Sequence, residues 1–138
     1  VGPDALTESG SGAGRSFALD RTPSLGRIVL RSKWRTGRRF DLARILGDRI
    51  AVAGDEQLRP ATQAYTYRQK VQRAFAAELL CPFEALVDHL AGDFSDEALD
   101  GAAEYFDVSP RTVQTLLVNQ RYLPREEIED ELESVVAA

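Results

Sequence analysis

The residue types that most often bind metals or act as nucleophiles are scarce in this sequence. It contains one histidine, His89, and one cysteine, Cys81. A zinc site in a protein usually needs three or four cysteine, histidine or carboxylate ligands, so we predict no metal and no other cofactor. The sequence also lacks a phosphate-binding loop, a dinucleotide-binding fingerprint and the G-x-S-x-G motif of serine hydrolases. We expect His89 to be a solvated or interhelical side chain beside Asp88, and Cys81 to be a small buried apolar residue.

The charged residues are distributed unevenly along the chain, although the 138 residues carry a net charge of only −5. Residues 15–44 contain nine basic and two acidic residues, whereas residues 78–138 contain three basic and fifteen acidic residues. An apolar fraction of 43% favours one folded domain. No apolar run reaches the roughly 18 residues of a membrane span. Because a single cysteine cannot form an intrachain disulfide, we expect a reducing, cytoplasmic setting.

The spacing of apolar residues predicts an α+β fold that is predominantly helical, with a small N-terminal β-hairpin or sheet. Two short apolar runs, 16–20 and 27–31, flank a segment with proline and glycine, which is typical of a hairpin. The residues between 31 and 39 are basic and polar and are expected to face solvent.

Five helices and a loop are predicted after this hairpin. A helix over 39–51 is expected to turn an apolar stripe inward, formed by Leu42, Ile45, Leu46 and Ile50. A loop over 54–60 is followed by helices over 66–80, 82–90, 96–106 and 111–119. The inward residues of the helix over 66–80 are predicted to be Val71, Ala74, Phe75 and Leu79. Ser95 and Ser109 are the expected N-caps of the last two helices.

Three sequence blocks, taken together, resemble a known protein family. They are Arg39-Phe40-Asp41-Leu42-Ala43-Arg44-Ile45-Leu46-Gly47-Asp48, Phe75-Ala76-Ala77-Glu78-Leu79-Leu80-Cys81-Pro82 and Phe106-Asp107-Val108-Ser109-Pro110. The blocks are similar to the R-F-x-L-A-H-E-x-G-H, F-A-A-x-L-L-M-P and F-x-V-S segments of the ImmA/IrrE family of small zinc peptidases. The resemblance covers about residues 26–122. It implies a peptidase-like fold and a regulatory context, because active members are commonly encoded with, or fused to, helix-turn-helix repressors.

The same resemblance implies that the zinc chemistry is lost. The family's first metal ligand, general base and second metal ligand correspond to Arg44, Ile45 and Asp48, and its downstream glutamate corresponds to Val71. A guanidinium has no lone pair for a metal, and an isoleucine cannot accept a proton. Because Arg44 and Asp48 are four residues apart on one helix, we predict an ion pair in the place of the metal. The alternative is two unrelated surface charges.

Residues 95–121 have the spacing of a helix-turn-helix-like pair. The residues expected to pack this pair are small or apolar, namely Ala102, Ala103, Phe106, Val108, Val113 and Leu116. Asp107 stands at the turn, where a left-handed backbone is common. In a DNA complex Arg111 and Gln114 would reach bases and Arg121 a phosphate. The first helix of the pair is acidic, which opposes phosphate contact, so we favour a packing role.

Basic residues and one aromatic residue precede and enter the helix over 39–51. They include Arg31, Lys33, Trp34, Arg35, Arg38 and Arg39. Basic residues interleaved with an aromatic one indicate a nucleic-acid or partner surface. The alternative, which we favour slightly, is that this stretch neutralises the acidic C-terminal half within the chain or in a partner.

These features predict a flexible lead-in over 1–14, a degenerate peptidase-like domain over 15–122 and an acidic tail over 123–138. The predicted function is a catalytically inactive regulatory, sensing or protein-interaction module whose partner is a protein or a small ligand. Because the chain begins with valine and contains no methionine, we expect it to be a processed product or an excised piece of a longer polypeptide. The family resemblance implies that this polypeptide is a transcription regulator. The alternatives are a DNA-binding regulator and an active zinc endopeptidase with an unusual site.

Overall fold

The computed structural model describes residues 6–9, 14–21, 24–52 and 56–125, and this part of the chain has the predicted α+β fold. The chain divides into two compact units, Val1–Leu80 and Cys81–Ala138. Within the described residues the first unit contains the strands β1 (Leu6–Ser9), β2 (Ser16–Arg21), β3 (Ser24–Leu30) and β4 (Leu58–Ala61), with the helices α1 (Arg35–Ala51) and α2 (Tyr67–Leu80). The second contains α3 (Phe83–Leu90), α4 (Asp96–Phe106) and α5 (Pro110–Asn119).

The first unit is built on a four-stranded sheet with the strand order β1-β3-β2-β4. Strands β2 and β3 pair in antiparallel fashion, with Phe17 opposite Val29, which confirms the predicted hairpin. Strand β4 is antiparallel to β2, and β1 is parallel to β3. One face of this sheet packs against α1 through an apolar core, formed by Ala18, Ile28, Leu30, Ile45 and Ala61, with Leu42 at its margin.

The two outer strands were not expected from the sequence. Strand β1 lies inside the predicted flexible lead-in, and β4 lies across the end of the predicted loop over 54–60. Edge strands pair through main-chain groups and need no alternating apolar pattern, which explains why neither was recognised. Pro60 argues against a central strand, but an edge strand such as β4 tolerates it. The rest of the lead-in that the structure describes is Gly14 alone; residues 1–5 and 10–13 lie outside the described residues.

The inward face of α1 differs from the predicted apolar stripe. Ile45 is buried as expected, but Leu46 is 45% exposed and Ile50 is 66% exposed. Arg44 and Asp48 are buried in their place. The prediction assumed that only apolar side chains face inward, whereas this helix is covered on two sides, by the sheet and by α2. The helix also begins at Arg35, four residues before the predicted start.

Helices α1 and α2 approach each other closely at Gly47. A Cβ atom added to Gly47 would lie 2.6 Å from Cδ1 of Phe75. The buried residues of α2 are Gln69, Gln72 and Ala76. The predicted inward face of α2 is wrong for Ala74 and Leu79, which are exposed, whereas Phe75 packs against Gly47 and, like Val71, is half-buried. The observed face is polar, so apolar periodicity could not reveal it.

This close approach predicts that Gly47→Ala destabilises the protein, although alanine is the better helix former. The added methyl group collides with Phe75, and an overpacked site costs about 1–3 kcal/mol. Gly101→Ala in α4 is the matched control, because a Cβ atom there meets nothing within 4 Å. That variant is expected to gain about 0.5–1 kcal/mol from helix propensity. Urea denaturation of both variants measures the difference, and equal stabilities would contradict the close packing of Phe75.

Helices α4 and α5 begin at their predicted N-caps, Ser95 and Ser109. The Ser95 Oγ accepts a hydrogen bond from the Ala98 N at 3.3 Å, and the Ser109 Oγ accepts one from the Thr112 N at 3.2 Å. Asp107 has the predicted left-handed backbone, with φ of 54°. The buried residue of the last turns of α5 is Leu117, whereas Leu116, predicted to face the core, is half-buried.

Two further findings concern the whole set of described residues. None of the helices in residues 6–9, 14–21, 24–52 and 56–125 is long and apolar enough to cross a membrane. The predicted acidic tail begins within this set at residues 123–125, and residues 126–138 lie outside it.

Candidate functional site

Six charged or amide side chains meet where α1, α2 and β4 pack together. They are Arg44 and Asp48 on α1, Arg59 on β4, and Arg68, Gln69 and Gln72 on α2, and we refer to them as the polar cluster. All except Arg68 are buried, with Arg44 only 2% exposed. Buried ionised groups are rare unless they are paired, so the contacts of this cluster determine what it can do.

Asp48 is the acceptor at one end of the polar cluster. Arg68 donates to both carboxylate oxygens, from Nε to Oδ1 and from Nη2 to Oδ2, each at 2.6 Å. The Gln72 Nε2 donates to Oδ1 at 3.0 Å, and the Arg59 Nη1 donates to Oδ2 at 3.3 Å. Burial acts to raise the pKa of Asp48, but these donors and the charge of Arg68 outweigh it and hold the pKa below its usual value. Asp48 is therefore a fully engaged carboxylate.

Arg44 is the donor at the other end. Its Nη2 donates to the Gln69 Oε1 at 2.7 Å and to the Thr62 carbonyl oxygen at 2.6 Å. Its Nη1 lies 3.8 Å from an oxygen of Asp41, and its Nε has no hydrogen-bond partner among the described residues. Burial lowers the pKa of Arg44 from its ordinary value, although the charge of Asp41 opposes this. The guanidinium remains charged at neutral pH and is held by neutral acceptors.

The contacts differ from the ion pair predicted between Arg44 and Asp48. Both side chains are buried, which also excludes two unrelated surface charges. Within the described part of the chain, however, Arg44 and Asp48 do not pair with each other. Each instead contacts residues on α2 and on or next to β4. The physical reason is geometric: Arg68 offers Asp48 two parallel N–H donors, and the Gln69 amide offers Arg44 a fixed acceptor.

Gln69 links the polar cluster to the outer edge of the sheet. Its Oε1 accepts from the Thr62 N at 2.8 Å, and its Nε2 donates to the Pro60 carbonyl oxygen at 3.0 Å. The amide thus pairs with main-chain groups of the edge as a further strand would. The Gln72 Nε2 adds a second donor to Pro60 at 3.1 Å, while the Gln72 Oε1 has no partner in the described region. Covering an edge in this way prevents pairing with another chain.

The other two residues that the family resemblance assigns to the peptidase motif, Ile45 and Val71, lie outside the polar cluster. Ile45 faces the sheet and belongs to the apolar core, and Val71 is half-buried on α2. Of the basic stretch, Arg31, Lys33, Trp34 and Arg35 are exposed, whereas Arg38 and Arg39 are half-buried. In the second unit Arg111 and Arg121 are exposed and Gln114 is half-buried. Of the predicted site residues, the polar cluster therefore contains only Arg44 and Asp48.

Sequence reasoning missed four members of the polar cluster, Arg59, Arg68, Gln69 and Gln72. One signal was present, because Gln69, Gln72 and Ala76 recur at helical spacing and share one face of α2. Two glutamines on the same face as a small residue indicate a polar helix contact. Arg59 and Arg68 follow no such pattern and could be assigned only from the folded structure.

The lone histidine and the lone cysteine lie in the second unit. The His89 ring is stacked on Tyr105 with centroids 4.4 Å apart and contacts Phe106 edge to face. Cys81 is buried, as predicted. No group of three or more histidine, cysteine or acidic residues that could hold a metal ion occurs in residues 6–9, 14–21, 24–52 and 56–125.

The polar cluster does not fit the zinc ion that the family resemblance implies. Arg44 has no free electron pair and adds a positive charge at the first ligand position. Both oxygens of Asp48 are engaged by donors, and Ile45 points away from the cluster into the core. What this arrangement does chemically is to join α1, α2 and β4 through charge-assisted hydrogen bonds.

No protein-family description, curated protein or solved structure matches this chain.

Proposed function

We propose that this chain is a catalytically inactive domain of the ImmA/IrrE type that works as a regulatory, sensing or protein-interaction module in a cytoplasmic transcription regulator. The observation that carries the proposal is the burial of Arg44, 2% exposed, at the position of the family's first zinc ligand. The sequence blocks carry the family resemblance, and the contacts of Arg44 and Asp48 support the loss of its chemistry.

The polar cluster takes over the structural part of a metal site. A bound metal joins the elements that supply its ligands, and here Asp48 on α1 is joined to Arg59 on β4 and to Arg68 on α2. The cluster therefore stabilises the region where the family would perform its reaction. Without a metal ligand set or a general base in this region, binding is the role that remains for the module.

The outer face of α1 supports a protein as the partner. Leu46 and Ile50 lie one helical turn apart and are both substantially exposed. A single exposed apolar residue is ordinary, but two on one face of a helix offer a contact area to a partner. We assign this face to protein binding within the proposed module.

Zinc binding tests the proposal directly. Because the cluster has no metal ligand set, we expect the purified wild-type protein to contain well below one zinc per chain. Chelators are expected to leave its melting temperature unchanged. Elemental analysis and thermal unfolding with and without zinc measure both quantities. Stoichiometric zinc in the wild-type protein, or chelator-sensitive cleavage of a repressor-like substrate, would contradict an inactive module.

A restored variant tests the family assignment separately. Arg44→His, Ile45→Glu, Asp48→His and Val71→Glu together recreate the family's ligands and base. If α1 and α2 retain the family geometry, this variant binds zinc, and zinc at a hundredfold excess over Kd stabilises it by about 2.7 kcal/mol. The control variant carries alanine at positions 44, 48 and 71 and is expected to gain nothing from zinc. A restored variant that folds but does not bind zinc would contradict the assignment of this domain to the ImmA/IrrE type.

A further inference from the structure

A basic surface with an exposed tryptophan lies where the sheet passes into α1. It consists of Arg31, Lys33, Trp34, Arg35 and Arg38, and we refer to it as the Trp34 patch. Trp34 is the residue that immediately precedes α1, and its side chain is 79% exposed. Tryptophan carries the largest apolar surface of any side chain, and most of that surface is in contact with solvent here.

The backbone around Trp34 is ordered by Ser32. The Ser32 Oγ accepts a hydrogen bond from the Trp34 N at 3.2 Å and contacts the Trp34 carbonyl oxygen at 3.4 Å. A Cβ atom added to Gly37 would lie 2.3 Å from the Ser32 Oγ, so Ser32 lies directly against the first turns of α1. The indole is therefore presented to solvent by a compact turn. A ligand that stacks on the indole finds this turn already ordered.

The acidic residues of α1, Asp41 and Asp48, contact residues outside the patch. The first turn of α1 contains no acidic residue. Asp41 accepts a hydrogen bond from the Ser16 Oγ at 2.5 Å, and Asp48 is engaged in the polar cluster. The first unit as a whole contains fourteen basic and eight acidic residues, a net charge of +6. At physiological ionic strength charges beyond about 8 Å are largely screened, so a strand bound at the patch responds mainly to the charges close to it.

We infer that the Trp34 patch binds single-stranded nucleic acid, with an unpaired base stacked on Trp34 and phosphates contacted by Arg31, Lys33 and Arg38. Exposed aromatic rings beside basic side chains are the elements with which proteins bind single strands. In a duplex the bases are paired and stacked on one another, so the indole has no free base to contact. This binding does not depend on the polar cluster or on the proposed loss of zinc chemistry.

The fluorescence of Trp34 tests the inference, because Trp34 is the only tryptophan of the chain. Titration of the wild-type protein with a 15-nucleotide oligothymidylate at low salt is expected to quench this fluorescence. Anisotropy of the labelled oligonucleotide measures the affinity of variants. Trp34→Ala is expected to weaken binding roughly tenfold, which corresponds to the loss of one stacked base. Lys33→Gln is expected to reduce the slope of the logarithm of the association constant against the logarithm of salt concentration by about 0.7 per lost phosphate contact.

Two variants of the first unit serve as matched controls. Tyr67 is 84% exposed and Lys70 is exposed on α2, both outside the patch. Tyr67→Ala and Lys70→Gln are expected to bind with wild-type affinity. The inference is wrong if the oligonucleotide does not bind at low salt, if Trp34→Ala binds as well as Tyr67→Ala, or if duplex DNA or poly-glutamate binds as tightly. Because Trp34 and Lys33 are exposed, circular dichroism is expected to show that both variants are folded. If one variant fails to fold, the binding of the other still tests the inference.

Discussion

Asp48→Asn is expected to destabilise the first unit by about 3–5 kcal/mol, the cost of removing one partner from a buried ion pair. The substitution removes the carboxylate that contacts the buried Arg59 and the half-buried Arg68, although Arg68 keeps its ion pair with Glu56 at 2.7 Å. An asparagine also replaces one acceptor oxygen by a donor nitrogen, which faces the N–H groups that now contact Asp48. Urea denaturation measures the loss of stability, and hydrogen exchange of α1 amides assigns it to the first unit.

The control for this substitution is Asp100→Asn, because Asp100 is exposed on α4. A surface substitution of this kind is expected to change stability by less than about 0.5 kcal/mol. Equal stability of Asp48→Asn and Asp100→Asn would show that the contacts of Asp48 do not stabilise the fold.

The contribution of Asp48 is also expected to depend on pH. Its pKa is held below the ordinary value in the folded protein, so the folded state favours the charged form. This stabilisation is complete above the unfolded pKa of about 3.9 and is lost as the pH falls through the lower pKa of the folded protein. The stability difference between wild type and Asp48→Asn should therefore be constant between pH 6 and 8 and shrink in strong acid.

Arg44→Ala is expected to destabilise the protein by about 2–4 kcal/mol, because it leaves a cavity and removes a donor from two buried acceptors. Those acceptors are the Gln69 Oε1, which retains Thr62, and the Thr62 carbonyl oxygen. Arg44→Met is expected to cost less than half as much. Methionine fills most of the volume and also removes the desolvated charge and the unpartnered Nε.

The comparison with Arg111→Ala provides the control, since Arg111 is exposed on α5. That variant is expected to stay within about 0.5 kcal/mol of the wild type. Thermal and urea unfolding of the three variants measure the series. If Arg44→Met proved as costly as Arg44→Ala, the charge and hydrogen bonds of Arg44 rather than its volume would dominate.

Within the function proposed above, these effects explain how a domain keeps a peptidase-like framework without peptidase chemistry. The polar cluster uses hydrogen-bond donors and acceptors where a metal site uses electron pairs, and it involves Arg44 and Asp48 at the two positions that the resemblance assigns to zinc ligands. On that proposal, a single change to histidine at position 44 or 48 breaks the cluster without making a metal site, so zinc binding needs several simultaneous substitutions.

Local patterns in the sequence were sufficient for much of the architecture. Three features depend only on residues close in sequence. They are the shared sheet face of Ile28 and Leu30, the N-caps at Ser95 and Ser109, and the left-handed backbone of Asp107. The ends of α2, α3, α4 and α5 were accordingly predicted within one residue. Secondary structure of this kind is determined by backbone preferences and side-chain caps within a few residues.

The partners of buried polar groups were decided only by the tertiary structure. Arg44 contacts Gln69 across 25 positions of sequence and Asp48 contacts Arg68 across 20, so no local pattern records these pairs. From a sequence, charged and amide side chains are predicted to lie on the surface, because burying such a side chain is favourable only when its hydrogen-bond or ion-pair partners are in place. The sequence alone therefore placed Arg44 and Asp48 on one helix face. Packing against α2 and β4 supplied the partners that allow both to be buried.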